Sequence, residues 1–252
     1  MTATLLLLLA CKPPEAPDTI EEMMVYGFTN LEDDEAILAL ADKLIPWMQD
    51  NRAELEEGYQ VQDLSVEDLA AAGIEDAQVD GVIGAAVGLY YAFPVDDIAF
   101  GLTYPEQTEI FEKYLSYERL EETDRACFLD RSCPEHTCLN DVHIDFGAGI
   151  EGWNHWTQTL RRVDSEAWGE LMVRRVLGPD PSEFSVDWLE VPQQHGFSFV
   201  YNEAGAAIRV QTVWVEGRIV GADVPETFAL SLGMNGMRKS AEDLDAWLAE
   251  NR

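Results

Sequence analysis

Residues 221–252 read GADVPETFALSLGMNGMRKSAEDLDAWLAENR, and this stretch decides how the rest of the chain is arranged. Leu230, Met234, Met237, Ala241, Leu244 and Leu248 recur at steps of four and three, which places them in one stripe along a helix. Just upstream, residues 208–220 alternate as a strand. Ile208, Val210, Thr212 and Trp214 share one face, and Arg209, Gln211, Val213 and Val215 share the other. A helix this long needs a broad surface to cover, so the expected architecture is a last helix closing over a sheet.

Composition narrows the function. The chain has 252 residues, 47% of them hydrophobic, enough for a proper core. Its 48 Asp and Glu against 16 Lys and Arg give a formal net charge of -32. Such a surface repels polyphosphate, so nucleic acid is excluded as an expected partner. Attachment to an anionic membrane by charge is disfavoured for the same reason and would need an anchor.

Residues 1–10, MTATLLLLLA, form a short apolar run ending in a small residue, and Cys11 follows at once. The run is too short to span a bilayer as a helix and has the pattern of an export signal. Leu8, Leu9, Ala10 and Cys11 resemble the bacterial lipobox. That resemblance implies removal of residues 1–10, acylation of Cys11 and a lipoprotein of the cell envelope, with Lys12 favouring the outer membrane. The Pro-rich residues 11–22 are expected to tether the anchor to a folded body.

Residues 23–79 are expected to form a helical extension. A helix over 33–57 carries Ile37, Leu40, Leu44, Trp47 and Met48 at helical spacing, and Pro46 can kink it. Ser65 and Asp68 make a capping-box opening to a short helix over 66–72. Residues 81–92, GVIGAAVGLYYA, read as a buried strand whose glycines leave room for another segment or a ligand. Pro94 then opens one helix and Pro105 a second through residue 115, and residues 116–122 are extended.

A strand ending before a proline, Pro94 and Ile98 on a short helix, Leu102, then a turn at Tyr104, Pro105 and Glu106, resembles the opening of the START-like, or helix-grip, superfamily. The family includes lipid-transfer domains and polyketide cyclases. The resemblance spans residues 80–252 and implies an α+β fold, a curved antiparallel sheet closed by a long C-terminal helix. It also implies non-catalytic binding of a hydrophobic small molecule or lipid between the sheet and that helix, with no cofactor.

Strand candidates at 152–163, 169–176, 183–191, 196–201 and 207–220 support this order. Aromatic residues on them could line a cavity or fill a core. The expected cavity residues are Tyr90, Phe197, Phe199 and Trp214, with Leu230, Met234 and Met237 from the last helix, and the Gly233–Met237 region is where a pocket is expected.

Residues 126–143, ACFLDRSCPEHTCLNDVH, read as an irregular insert holding Cys127, Cys133 and Cys138. In an exported chain one disulfide is expected. Spacing leaves the pairing open; Cys127 with Cys138, tying the insert across its base, is the pairing favoured. A site from Cys133, His136, Cys138 and His143 matches none of the common zinc patterns, so no metal is expected. There is no G-x-S-x-G, H-E-x-x-H or Walker loop. An enzyme on the same fold is the first rival reading, favoured by a cavity that holds His143 or His155 against a carboxylate. A cell-envelope interaction protein with a filled core is the second.

Overall fold

The computed structural model describes residues 15–75, 79, 82–221 and 226–252, without the side chains of 226–229 and 232. The expected leader, Cys11, Pro225 and residues 80–81 lie outside that set. Three helices open the described chain: α1 (Ile20–Thr29), α2 (Asp34–Asp50) and α3 (Arg52–Glu57). Strand β1 (Tyr59–Val61), helix α4 (Val66–Ala71), strand β2 (Ile83–Tyr90) and helix α5 (Val95–Leu102) follow. Next come β3 (Tyr114–Glu122), α6 (Arg125–Leu129), β4 (Glu135–Gly147), β5 (Ile150–Ser165) and β6 (Gly169–Gly178). The chain ends with β7 (Glu183–Phe184), β8 (Leu189–Glu203), β9 (Ala206–Ile219) and the long helix α7 (Glu226–Asn251).

The strands form one antiparallel sheet in the order β1-β2-β9-β8-β6-β5-β4-β3, curved but not closed into a barrel, with β7 pairing β5 off that path. Helix α7 lies on β2 and β9 beside α5. This is the helix-grip arrangement. The opposite face of the sheet is covered as well, by a collar of α1 to α4, so the sheet is a middle layer with an apolar cluster on each side. On the collar side Phe28, Leu40, Leu44 and Leu55 meet Val173, Phe199, Val210 and Trp214. On the other, Leu244 and Leu248 of α7 and Ile98 and Leu102 of α5 meet Val87, Leu160 and Met172.

The local signals act as expected at several points. Ser65 and Asp68 complete a reciprocal capping box, and Asp33 accepts from Glu35 N and Ala36 N at the start of α2. The expected helix over 33–57 is split at Asn51, which caps both halves. Gly27 of α1 and Gly88 of β2 allow the collar to approach closely: a Cβ on Gly27 would collide with the Phe197 ring, and one on Gly88 with Leu55.

Four expectations need correction. The tether does not reach residue 22. Ala16 is already buried, Lys43 binds Asp18 at 2.6 Å, and α1 starts at Ile20. The extension is not wholly helical, because its β1 adds an edge strand to the sheet, which therefore begins before residue 80. The second helix after Pro105 shrinks to a 3-10 turn at Gln107–Glu109. There the Gln107 amide, buried, donates to the carbonyls of Gly101 and Tyr104, and the chain turns directly into β3. Finally, the cysteine insert is mostly regular, since Cys138 and His143 lie on β4, a full strand of the sheet.

The disulfide joins Cys127 to Cys133, with Cα atoms 5.2 Å apart, and not to Cys138. Cys127 and Cys133 flank one turn, and Cys133 N donates to Cys127 O at 3.0 Å. Cys138 is instead held on β4 opposite Gln158, buried and unpaired.

Candidate ligand-binding cavity

Residues opposite one another in an antiparallel ladder point to the same side of the sheet. Arg174, Ser198, Gln211 and Val87 therefore form one row across β6, β8, β9 and β2, on the side of α7. Gln158, Val176, Gly196 and Val213 form the next. Met172, Val200, Arg209 and Leu89 form the one on the other flank. The alternating rows, with Arg175, Phe197 and Thr212, or Val173, Phe199 and Val210, or His195 and Trp214, belong to the collar side.

A cavity of about 180 Å³ lies between the first set of rows and the helices. Its apolar wall comes from Leu102, Phe111, Val213 and Leu244, and its polar wall from Gln158, Arg174, Arg209 and Gln211, with Tyr114, Tyr117 and Trp156 at one side. Helix α7 contributes Ser240 and Leu244. The polar wall is partly fixed. Arg174 Nε donates to Gln158 Oε1 at 2.7 Å, and the Gln158 amide is in turn 3.4 Å from the Leu102 carbonyl. The Tyr117 hydroxyl donates to Asn140 Oδ1 at 2.5 Å. Burial pushes the Arg174 guanidinium down to about 10, and the like charge of Arg209 adds to the shift. Burial also raises Tyr114 and Tyr117, so both stay neutral donors.

Most expected cavity residues are elsewhere. Phe199 and Trp214 are fully buried under the collar, where Trp214 Nε1 donates to Gln62 O at 2.9 Å and its ring meets Phe28 at 5.3 Å. Phe197 borders the cavity, but from a collar-side position with its ring against Gly27. Tyr90 is 37% exposed at the collar rim, near Arg52 and Glu203. Leu230 is buried without lining the cavity, Met234 packs on the turn at Gly58, and Met237 is part of the core. The cavity lies further along α7 than the Gly233–Met237 region. Arg174, Arg209, Gln158, Tyr114 and Tyr117 were not anticipated. The available signal was arginine inside apolar strands, in ELMVRRVL (170–177) and AAIRVQTVW (206–214).

Of the four histidines only His195 borders this cavity, and it does so from a collar-side position opposite Trp214. His136 stacks on Phe128, fully buried, and burial holds it down to about 4. His195 is under the collar and is likewise lowered to about 4 by burial. His143 and His155 line a separate groove of about 320 Å³ on the collar-side face of β4 and β5. There His143 Nε2 is 2.9 Å from Glu151 and His155 Nδ1 is 2.5 Å from Asp141. Cys133 is taken up by the disulfide, and His143 faces away from His136 and Cys138 on β4. Among the described residues no three His, Cys, Asp or Glu side chains cluster as a metal site.

The architecture is START-like: a curved antiparallel sheet gripped by a C-terminal helix. Similar solved structures include a START superfamily protein from Mycobacterium smegmatis, 9% identical, with a TM-score of 0.45, covering 68% of this chain and 100% of its own. A STAR-related lipid transfer protein from Xanthomonas axonopodis is 13% identical, with a TM-score of 0.47, covering 68% of this chain and 90% of its own. The human StarD13 (DLC2) lipid transfer and protein localization domain is 10% identical, with a TM-score of 0.40, covering 80% and 94%. No family model and no curated protein matches the chain. Likenesses this distant carry nothing about ligand or reaction, and the description rests on element order and on the seat of α7.

Proposed function

We propose that this protein binds a hydrophobic small molecule, without transforming it, in the cavity beneath α7, and that it does so as an exported protein acyl-anchored through Cys11. The supporting observation is the cavity itself: a half-open space with an apolar wall on the helix side and a few fixed polar groups on the sheet side. At about 180 Å³ it is smaller than the ~300–1,000 Å³ common for drug-sized ligands. It is closer to the ~150 Å³ cavity that accepts benzene, so the ligand is of ring size or enters in part.

Native mass spectrometry of protein purified from its own membranes tests this directly. A bound small molecule is expected, and Ser240→Trp, which fills the cavity from α7, should remove it. Absence of any bound molecule, together with no ANS fluorescence from the folded protein, overturns the reading. The anchor is tested separately: Cys11→Ala should move the protein from the membrane fraction to the soluble one.

A catalytic reading has one observation in its favour, the two histidine–carboxylate pairs of the groove. They lie on the face opposite the cavity, so such a catalyst would act on a molecule in the groove. His155→Asn abolishing turnover of an identified substrate would establish it.

A further inference from the structure

The polar wall carries positive charge that no carboxylate among the described residues balances. In a chain with 48 Asp and Glu this needs explaining. Neighbouring arginines all find partners: Arg175 pairs with Glu32, Arg162 with Asp96 and Glu170, and Arg161 with Asp34 and Glu135. Arg174 and Arg209 make no ion pair among the described residues. Among the described residues the one side-chain hydrogen-bond partner of Arg174 is the neutral Gln158 amide. Arg209 is 3% exposed, and its Nη1 reaches only the Tyr91 hydroxyl, at 3.4 Å. Its Nε and Nη2 are buried without any partner, as is Ser198 Oγ in the row between Arg174 and Gln211.

Both arginines line the cavity. A buried charged donor without an acceptor is costly, and two like charges facing one space add repulsion. An anion in that space removes both penalties, because guanidinium geometry matches a carboxylate with two parallel N–H···O bonds. Across from the arginines the wall is apolar, Leu102, Phe111 and Leu244.

Building on the small-molecule reading above, we infer that the cavity takes a small amphipathic carboxylic acid, its carboxylate held by Arg174 and Arg209 and its ring or short-chain body against Leu102, Phe111 and Leu244. The neutral amide and phenol beside the arginines, Gln211 and Tyr114, can donate to the same head without adding opposing charge.

The test uses phenylacetate and its neutral isostere phenylacetamide on the folded full chain, by titration calorimetry at neutral pH. Phenylacetate is expected to bind about tenfold or more tightly than the amide. Arg209→Gln should erase that preference. Because the acid-to-amide comparison is made on the unaltered protein, it decides the matter even where Arg209→Gln does not fold. Equal affinity for the two overturns the anion site and leaves the small-molecule cavity standing. Binding of neither overturns the anion site, and the small-molecule cavity then stands or falls with the native mass spectrometry.

Discussion

Phe28→Ala tests whether the N-terminal collar is part of one cooperative core with the sheet. The Phe28 ring is fully buried, 5.3 Å from Trp214 and 6.1 Å from His195 by ring centroids, with the Arg175 guanidinium 6.0 Å from its centre. Truncating a buried phenylalanine costs about 3–5 kcal/mol, more where the surroundings cannot collapse into the space. Here they are pinned. Trp214 Nε1 is tied to Gln62 O at 2.9 Å, and Arg175 is tied to Glu32 and, at 3.2 Å, to the Phe28 carbonyl, which the substitution keeps. The loss therefore belongs in the upper half of the range, about 4 kcal/mol. At about 2–4 °C per kcal/mol for a chain of this size, the melting temperature should fall by roughly 8–16 °C in a single transition followed by circular dichroism. A fall under about 2 °C, or a separate early transition that leaves the sheet's melt unmoved, refutes the one-core reading. Val66→Ala on α4, at a side chain 45% exposed, is the control and should change stability by less than about 0.5 kcal/mol.

Phe199→Ala should lower stability by about 3–5 kcal/mol yet leave phenylacetate affinity unchanged, because its ring is on the collar side; a parallel loss of binding would place it in the cavity. His136 and His195 are lowered to about 4 by burial, whereas in the unfolded chain they titrate near 6.5. Between those values the unfolded state binds the extra protons, so stability is full above pH 6.5 and falls as pH drops toward 4, by up to about 3 kcal/mol per histidine. Urea midpoints at pH 7 and pH 4.5 should converge for His195→Gln relative to the parent, and identical pH dependence in the two would count against the assignment. The Cys127–Cys133 bridge closes a loop of six-residue separation, so opening it by a Cys127→Ser, Cys133→Ser double variant should cost about 2 kcal/mol. A non-reducing peptide map should find those two linked and Cys138 as a thiol, and a Cys138 crosslink would contradict the fold around β4.

Charge is distributed oppositely outside and inside. The formal net charge of -32 keeps the surface acidic, and its arginines are largely neutralised in pairs such as Arg52–Glu203 and Arg252–Asp97. Over more than a Debye length, about 8 Å at physiological salt, the exterior field is screened, whereas charges as buried as Arg209 are screened far less. On the proposed anion site, an approaching acid is repelled weakly by the surface and attracted strongly by the two arginines. Added salt should speed its entry more than it weakens its grip.

The order of elements was legible because it depends on local signals: the stripe of α7, the prolines near α5, the capping box of α4 and the alternation in β8 and β9. The Pro105 segment failed because Gln107, a polar residue in a helical pattern, supplies its amide to two carbonyls and lets the chain turn in one step. The disulfide is not legible because residues 126–143 carry no clear period-two signal, which hides that Cys138 is committed to the ladder opposite Gln158. The cavity failed for a different reason. Period-two alternation correctly separated Phe197, Phe199 and Trp214 from Ser198, Gln211 and Arg209, but alternation does not say what covers each face. With one helical layer, the aromatic face would have turned to α7. With two, the collar takes the aromatic face, and α7 is left over the face that carries arginine, glutamine and serine. A face that mixed could not pack solidly against a helix without stranding its polar groups, so a cavity with a charged wall is what the second layer leaves behind.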